Sequence, residues 1–247
     1  YYAQGKAYSH NGKEDAGDRR LNDCEVGCTF GVWKKNKFST IGPNVIMNAY
    51  HALGTFQYTA IEPEKDELSY SYPEYAERNV LLSGTDYLSV FDRTGTPAIR
   101  HRFTWSVSSD DRMPFIHLLS GYDYTGRLTT EGKGGSIDSV WYEGSGSGFA
   151  VVTHREDVRV EKRGYGAVVE APEFKDTLLR SSVPLKGEFD GIAFEGTAGA
   201  VRAEPDGTVE IALLRGTSIG AQSLFLASES GKAGLSLRRS PAGDIAG

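Results

Sequence analysis

The chain has 247 residues, 39% of them hydrophobic, and a formal net charge of −6. The apolar share predicts a packed core, and the acidic balance argues against a nucleic-acid partner, because such binders neutralise phosphates with Lys and Arg. No apolar run approaches the roughly 20 residues of a membrane-spanning helix, so we expect no membrane span.

The first 40 residues carry few strand signals and are predicted to form an irregular lead-in. The chain opens Tyr1-Tyr2-Ala3 with no visible signal peptide, and we expect a fragment or a processed part of a longer polypeptide. Two cysteines, Cys24 and Cys28, cannot complete a four-Cys zinc site, so no metal is predicted, and the residues identify no cofactor. A local disulfide in an exported protein and a pair of reduced thiols both fit this spacing.

From residue 45 onward, strand signals are dense and helix signals are scarce. Short runs of β-branched and aromatic residues are separated by turns rich in glycine. The strands predicted in the first part are 45–47, 55–61, 79–82, 87–93, 100–107, 115–119, 139–142 and 148–153. Those predicted in the second part are 158–161, 167–170, 191–194, 199–203, 208–214, 223–227 and 235–238.

The segments between these strands indicate how the strands are joined. Residues 83–86 (SGTD) and 204–207 (EPDG) are predicted turns, and in the second of them Asp-Gly supplies the positive φ that a tight hairpin needs. Residues 144–148 (GSGSG) are predicted to be a flexible loop. Many short strands joined by glycine-rich turns predict an all-β fold with little helix, a large antiparallel β-sandwich formed by a single domain over residues 1–247.

Three segments, 42–51, 78–93 and 205–217, share a spaced pattern with one known family. The middle segment, RNVLLSGTDYLSVFDR, resembles the strand–turn–strand of heparinase II/III-like polysaccharide lyases, in which an Arg-initiated strand leads through a turn to an aromatic residue and then Asp-Arg. The first segment resembles the start of that family's C-terminal β-sandwich, and the third resembles its late hairpin.

The resemblance implies that this chain is the β-sandwich part of a polysaccharide-degrading protein that is secreted, periplasmic or on the cell surface. In the family, an N-terminal helical toroid carries most of the catalytic residues. The resemblance therefore implies β-elimination only if a catalytic helical domain, on the same or another chain, completes the site. The implied partner is an acidic polysaccharide or other glycan. The alternative is a non-catalytic carbohydrate-binding module or an extracellular structural or assembly module.

Asn48, Tyr50 and His51 supply the residue types that such a lyase needs for catalysis. A Tyr or His takes the proton beside the uronate carboxylate, and an Asn helps to neutralise that carboxylate. In a strand, Asn48 and Tyr50 share a face while His51 points to the other, so the three converge only if a turn intervenes. His51 is the strongest candidate, because imidazole titrates near neutral pH. The alternative is that they are ordinary strand residues.

Aromatic and basic side chains are the candidates for substrate binding, and they are Tyr58, Tyr70, Tyr72, Arg100 and Arg102. A tyrosine ring can stack on a sugar while its phenol bonds the hydroxyl groups. Two arginines on one strand face can hold a carboxylate through paired hydrogen bonds. The alternatives are packing between strands for the tyrosines and a solvated charged face for the arginines.

Overall fold

A computed structural model describes residues 2–3, 6–7, 30–34, 37–40, 45–63, 76–94, 100–108, 115–124, 129–131 and 137–247. These residues contain strands and turns but no helix, and the strands pair antiparallel. The predicted all-β fold is therefore confirmed. No helix in the described ranges is long and apolar enough to cross a membrane.

Twenty strands follow one another along the chain. The first twelve are β1 (Tyr2–Ala3), β2 (Lys6–Ala7), β3 (Phe30–Lys34), β4 (Lys37–Thr40), β5 (Val45–Leu53), β6 (Phe56–Pro63), β7 (Ala76–Ser83), β8 (Tyr87–Thr94), β9 (Arg100–Ser108), β10 (Phe115–Tyr124), β11 (Thr129–Glu131) and β12 (Ile137–Thr153). The last eight are β13 (Arg159–Arg163), β14 (Gly166–Ala171), β15 (Phe174–Phe189), β16 (Ile192–Ala203), β17 (Val209–Ala221), β18 (Leu224–Ala227), β19 (Leu235–Arg239) and β20 (Ile245–Ala246).

The chain divides into two compact units. Unit 1 contains Tyr1–Asn48, Ala60–Val80 and Thr85–Arg155, and unit 2 contains Ala49–Thr59, Leu81–Gly84 and Glu156–Gly247. One sheet has the order β4-β3-β9-β12-β8-β7-β6-β5, with β10 and β11 also paired to β12. A second has the order β13-β14-β15-β16-β17-β19-β20, with β18 paired to β17. A single domain over 1–247 stays a prediction, because compactness alone does not decide whether two units fold independently.

Residues 144–148 were predicted to form a flexible loop, but in the structure they lie inside β12. Ile137–Thr153 is one unbroken strand. Its first part pairs with β9 and its last part with β8, so its backbone has ladder partners at both ends. Those hydrogen bonds keep the glycine-rich run extended even though glycine has a low strand propensity.

Seven other strands lie where the sequence pattern predicts none, and they are β1, β2, β3, β4, β11, β15 and β20. β15 is 16 residues long, but Asp176, Pro184 and Gly187 interrupt the apolar alternation along it. β3 and β4 fall inside the predicted irregular lead-in. Their aromatic residues, among them Phe30 and Trp33, favour extended backbone.

The sheet of unit 2 bends sharply where two glycines face each other. Gly196 of β16 pairs with Gly216 of β17 at a shift in strand register, and a Cβ atom on Gly216 would lie 2.8 Å from the Cα of Gly196. A Cβ atom on Gly199 would likewise lie 2.8 Å from Cε2 of Phe194, five residues earlier in β16. In a straight strand those positions are about 17 Å apart, so the sheet folds over itself at this corner.

The bend encloses an apolar core of unit 2. Side chains from both halves of the long strands form one buried cluster, which consists of Tyr165, Leu179, Ile192, Phe194, Val201, Val209, Ile211, Leu213, Ile219, Ala221 and Leu224. Full burial of a large apolar side chain contributes about 1.5–3 kcal/mol. Removal of these side chains from water therefore stabilises the folded-over arrangement.

The segment Ala49–Thr59 packs against polar positions of the same unit. Thr55 donates from its backbone nitrogen and its hydroxyl to the two carboxylate oxygens of buried Glu210, at 2.9 and 2.8 Å. The guanidinium of Arg202 lies 5.9 Å from the ring centre of Phe56 and forms a buried ion pair with Asp176 at 2.7 Å. Because each of these charges is paired, they can be buried under the segment without a large desolvation penalty.

Candidate functional site

The structure separates two of the predicted catalytic residues onto opposite faces of β5. This strand runs unbroken from Val45 to Leu53, so no turn intervenes. Tyr50 is 61% exposed, whereas His51 is partly buried. Asn48 is also partly buried. It belongs to unit 1, whereas Tyr50 and His51 belong to unit 2. Tyr50 and His51 therefore cannot act together on one sugar.

His51 is instead brought together with Tyr58, which was predicted to bind substrate. The two rings are stacked, with centroids 6.0 Å apart and an interplanar angle of 11°. On another side, the imidazole contacts the backbone of Gly234 so closely that any Cβ atom there would overlap the ring. Gly234 is therefore needed for close approach to His51.

Burial sets the protonation state of His51. Loss of hydration lowers the pKa of the imidazole below its ordinary value of 6.5, and hydrogen bonding to backbone groups, first among them Lys232 and then Leu214, partly opposes this effect. The Nε2 atom is buried and has no hydrogen-bond partner within the described part of the chain. His51 is thus held neutral at neutral pH with one ring nitrogen unused.

Tyr58 supports His51 from inside unit 2. Its side chain is 1% exposed, and the guanidinium of Arg180 lies 5.6 Å from the ring centre. Arg180 is held in turn by hydrogen bonds to the carbonyl oxygens of Leu179 and Gly199, at 2.9 and 3.2 Å. This burial leaves no ring face of Tyr58 for a sugar, so we assign it the role of positioning His51.

The other predicted binding residues remain predictions. Tyr70 and Tyr72 lie outside the described residues. Arg100 and Arg102 lie two positions apart in β9, and their backbones pair with Ser145 and Glu143 of β12. The surroundings of these two arginine side chains also lie outside the described part.

Sequence reasoning missed an ion pair between the two strands that carry the family resemblance. Arg78 in β7 donates from Nε and Nη2 to both carboxylate oxygens of Asp92 in β8, each at 2.7 Å. Both residues are buried. Segment 78–93 begins with Arg and ends with Asp-Arg, and this pattern was the sequence signal for the pair. Because both side chains are buried, we assign the pair a structural role.

A second cluster missed from the sequence joins two turns of unit 2. The hydroxyl of Tyr165 donates a hydrogen bond to the carboxylate of Asp190, and Arg163 approaches that carboxylate at 3.8 Å while donating to Glu161 at 2.9 Å. Burial, together with the hydrogen bond to Asp190, raises the pKa of Tyr165. This phenol therefore stays protonated and serves as a donor.

No group of three or more His, Cys, Asp or Glu side chains within the described ranges is placed to bind a metal ion. No protein-family model matches the chain, and no curated protein sequence matches it.

Proposed function

We propose that this chain is the β-sandwich part of an exported polysaccharide-degrading protein, similar to heparinase II/III-like lyases, where it shapes or supports a saccharide cleft. An antiparallel all-β fold is compatible with such a part. The observation that carries the proposal is His51, whose imidazole is kept neutral by burial and whose Nε2 has no partner among the described residues.

A neutral imidazole can accept the proton beside a uronate carboxylate. The electrons of that C–H bond then form a carbon–carbon double bond as the bond to the leaving sugar oxygen breaks, and the imidazolium can return the proton to that oxygen. Because Nε2 of His51 is buried, the imidazole must be uncovered in the complete protein before a sugar reaches it. A helical domain, on the same or another chain, is proposed to neutralise the carboxylate.

The exposed ring of Tyr50 favours a second function, that of a non-catalytic carbohydrate-binding or extracellular structural module. Tyr50 lies on the face of β5 opposite His51 and is 61% exposed. An exposed tyrosine can stack on the apolar face of a sugar and bond its hydroxyl groups. This function requires no proton transfer and no second domain.

The test follows unsaturated product by absorbance when the complete native polypeptide acts on a uronate polysaccharide. His51→Ala should lower turnover by about 100-fold or more, the usual scale for losing a general base. His154→Ala, which alters another partly buried histidine, is the matched control and should retain turnover. The 247-residue chain alone should form no product.

A second variant separates chemistry from packing. His51 contacts Gly234, so His51→Ala could act through unfolding, whereas His51→Gln keeps most of the side-chain volume. A well-folded His51→Gln protein with full turnover would contradict the proton-transfer role. Sugar binding without product, weakened by Tyr50→Ala and retained in His51→Gln, would favour the non-catalytic function.

A further inference from the structure

The His51 imidazole is covered on one side by turn 228–234, which connects β18 to β19. A Cβ atom on Gly234 would overlap Cγ, Nδ1 and Cδ2 of His51, and Cδ2 is the carbon bonded to Nε2. The backbone of Lys232 forms a hydrogen bond with the same imidazole. The turn therefore lies directly against the ring whose Nε2 atom is buried.

Turn 228–234 is held together by its own hydrogen bonds. The hydroxyl of Ser228 donates to the carbonyl oxygen of Ser230 at 2.9 Å and accepts from the nitrogen of Ser230 at 3.1 Å. The hydroxyl of Ser230 accepts from the nitrogen of Lys232 at 3.4 Å, and its carbonyl oxygen accepts from the nitrogen of Ala233 at 3.1 Å. Because these bonds lie within the turn, it can move as one unit without losing its shape.

The turn has little apolar anchorage, whereas the chain on either side of it is well anchored. Its sequence is SESGKAG, and residues 229–232 are exposed. Leu226 before it and Leu235 after it both pack against the buried cluster of unit 2. Since local opening costs little where buried apolar contacts are few, the turn can leave His51 while both of its ends stay in place.

His51 is held more firmly than the turn. Its ring is stacked on Tyr58, which is 1% exposed and lies under the guanidinium of Arg180. Its backbone belongs to β5, which is paired with β6 in the sheet. Separation of the ring from Gly234 is therefore expected to come from movement of the turn.

We propose that turn 228–234 is a lid that moves away from His51 to admit a saccharide, while the remainder of unit 2 stays folded. This inference rests on the proposed function, and it deepens that function by naming how the buried imidazole becomes accessible. Lids belong to the least stable parts of a protein, because they must open without unfolding the rest.

The test uses diethyl pyrocarbonate, which transfers an ethoxycarbonyl group to a neutral imidazole nitrogen that it can reach. The full chain is treated at about pH 7.5, where His51 is neutral because burial lowers its pKa, and mass spectrometry of its peptides gives the rate at each histidine. Gly234→Ala should raise the rate at His51 by about tenfold or more, since the new Cβ displaces the turn from the ring. Gly231→Ala is the matched control and should leave the rate unchanged, because no heavy atom lies within 4 Å of its new Cβ.

A second variant covers the case in which the first one unfolds the protein. Ser228→Ala removes hydrogen bonds inside the turn without adding an atom near His51, and it should raise the rate there by about two- to tenfold. Its control is Ser181→Ala, which removes a similar bond between a hydroxyl and the backbone elsewhere in unit 2. The rate at His117 should not change in any variant, because His117 lies in unit 1.

The parent chain supplies a measurement that needs no variant. If the turn opens by itself, the rate at His51 should stay nearly constant in low concentrations of urea, because local opening exposes little surface. A rate at His51 that rises steeply with urea would contradict the lid. Well-folded Gly234→Ala and Ser228→Ala proteins with the parent rate would contradict it as well.

The labelling needs no saccharide, so its failure is distinct from failure of the proposed function. If the labelling shows no opening while His51→Gln loses turnover, the lid is contradicted and the proton-transfer role stands. If the labelling shows opening while well-folded His51→Gln keeps full turnover, the proposed function fails, and the role of the turn in admitting a saccharide fails with it.

Discussion

β17 is entered and left through two turns that are built in opposite ways. The entering turn, 204–207, uses Gly207 at a φ of 92°, and its nitrogen donates to the Glu204 carbonyl oxygen at 3.0 Å. The carboxylate of Asp206 accepts a hydrogen bond from the backbone nitrogen of Thr208 at 2.8 Å. Each residue type here is the one that turn geometry prefers.

The leaving turn, 222–223, contains no glycine. Gln222 and Ser223 both take positive φ without being glycine, which costs roughly 1–2 kcal/mol per residue. A contact from elsewhere, the Nη1 atom of Arg239, holds the turn in place. The entering turn is thus stabilised by its own residues, whereas the leaving turn is held by a side chain from another strand.

The largest effect on folding stability is expected at the entering turn. Gly207→Ala should lower the free energy of unfolding by about 1–2 kcal/mol, because alanine resists the left-handed region. No heavy atom lies within 4 Å of the position where the new Cβ would be, so the loss would report backbone conformation alone. Urea denaturation measures it, and an unchanged midpoint would remove the contrast between the turns.

The opposite result is expected at the leaving turn. Changing Gln222→Asn together with Ser223→Gly should raise the free energy of unfolding by about 1 kcal/mol, because Asn-Gly suits a two-residue hairpin. The gain should remain although the change removes the Ser223 hydroxyl that bonds Arg239, because Arg239 keeps its bond to the carbonyl oxygen of residue 222. Urea denaturation measures the change, and an unchanged or lower midpoint would mean that the Ser223–Arg239 hydrogen bond outweighs the strain of the turn.

A third turn, 228–234, differs from both because its last residue, Gly234, is needed for close packing against another side chain. Gly234 lies against the His51 imidazole, whose folded-state pKa is below 6.5 through burial. The unfolded chain therefore binds the proton more tightly than the folded protein. The contribution of neutral His51 to the free energy of unfolding should be fully present above about pH 6.5 and should be lost as the pH drops below that value.

Urea midpoints measured from about pH 8 to about pH 5 check this dependence, with His51→Gln as the control. The variant cannot titrate at this position, so its slope should be shallower while the contribution of His117, whose pKa is also lowered by burial, is retained. An identical slope in both proteins would show that His51 is not the group responsible.

The difference between the turns also separates what sequence can and cannot predict. The entering turn was predicted because Asp206-Gly207 is a strong local signal. Gln222-Ser223 carries no such signal, and Ser223 was assigned to a strand that in fact begins at Leu224. The position of this turn follows from the pairing of Ala221 with Leu224, and that pairing depends on the strand register of the whole sheet.

The same distinction applies to the candidate site. The opposite orientations of Tyr50 and His51 follow from strand alternation and were predicted correctly. The stacking of His51 on Tyr58 was not predicted, because it depends on how the neighbouring strands β5 and β6 align. The contact of His51 with Gly234 was not predicted either, because it joins residues far apart in the chain. β15 was missed for a related reason, since polar Asp176 is buried there through its pair with Arg202.

The proposed function is tested by following the imidazole ring resonances of His51 while a uronate oligosaccharide is added to the complete native polypeptide. The Nε2 atom of His51 has no hydrogen-bond partner among the described residues, so the ring signals of His51 should shift with a saturating dependence on ligand, while those of His154 stay in place. The same oligosaccharide with its carboxyl groups reduced to alcohols should produce smaller shifts. Unshifted His51 signals while the ligand binds elsewhere would contradict the proposal.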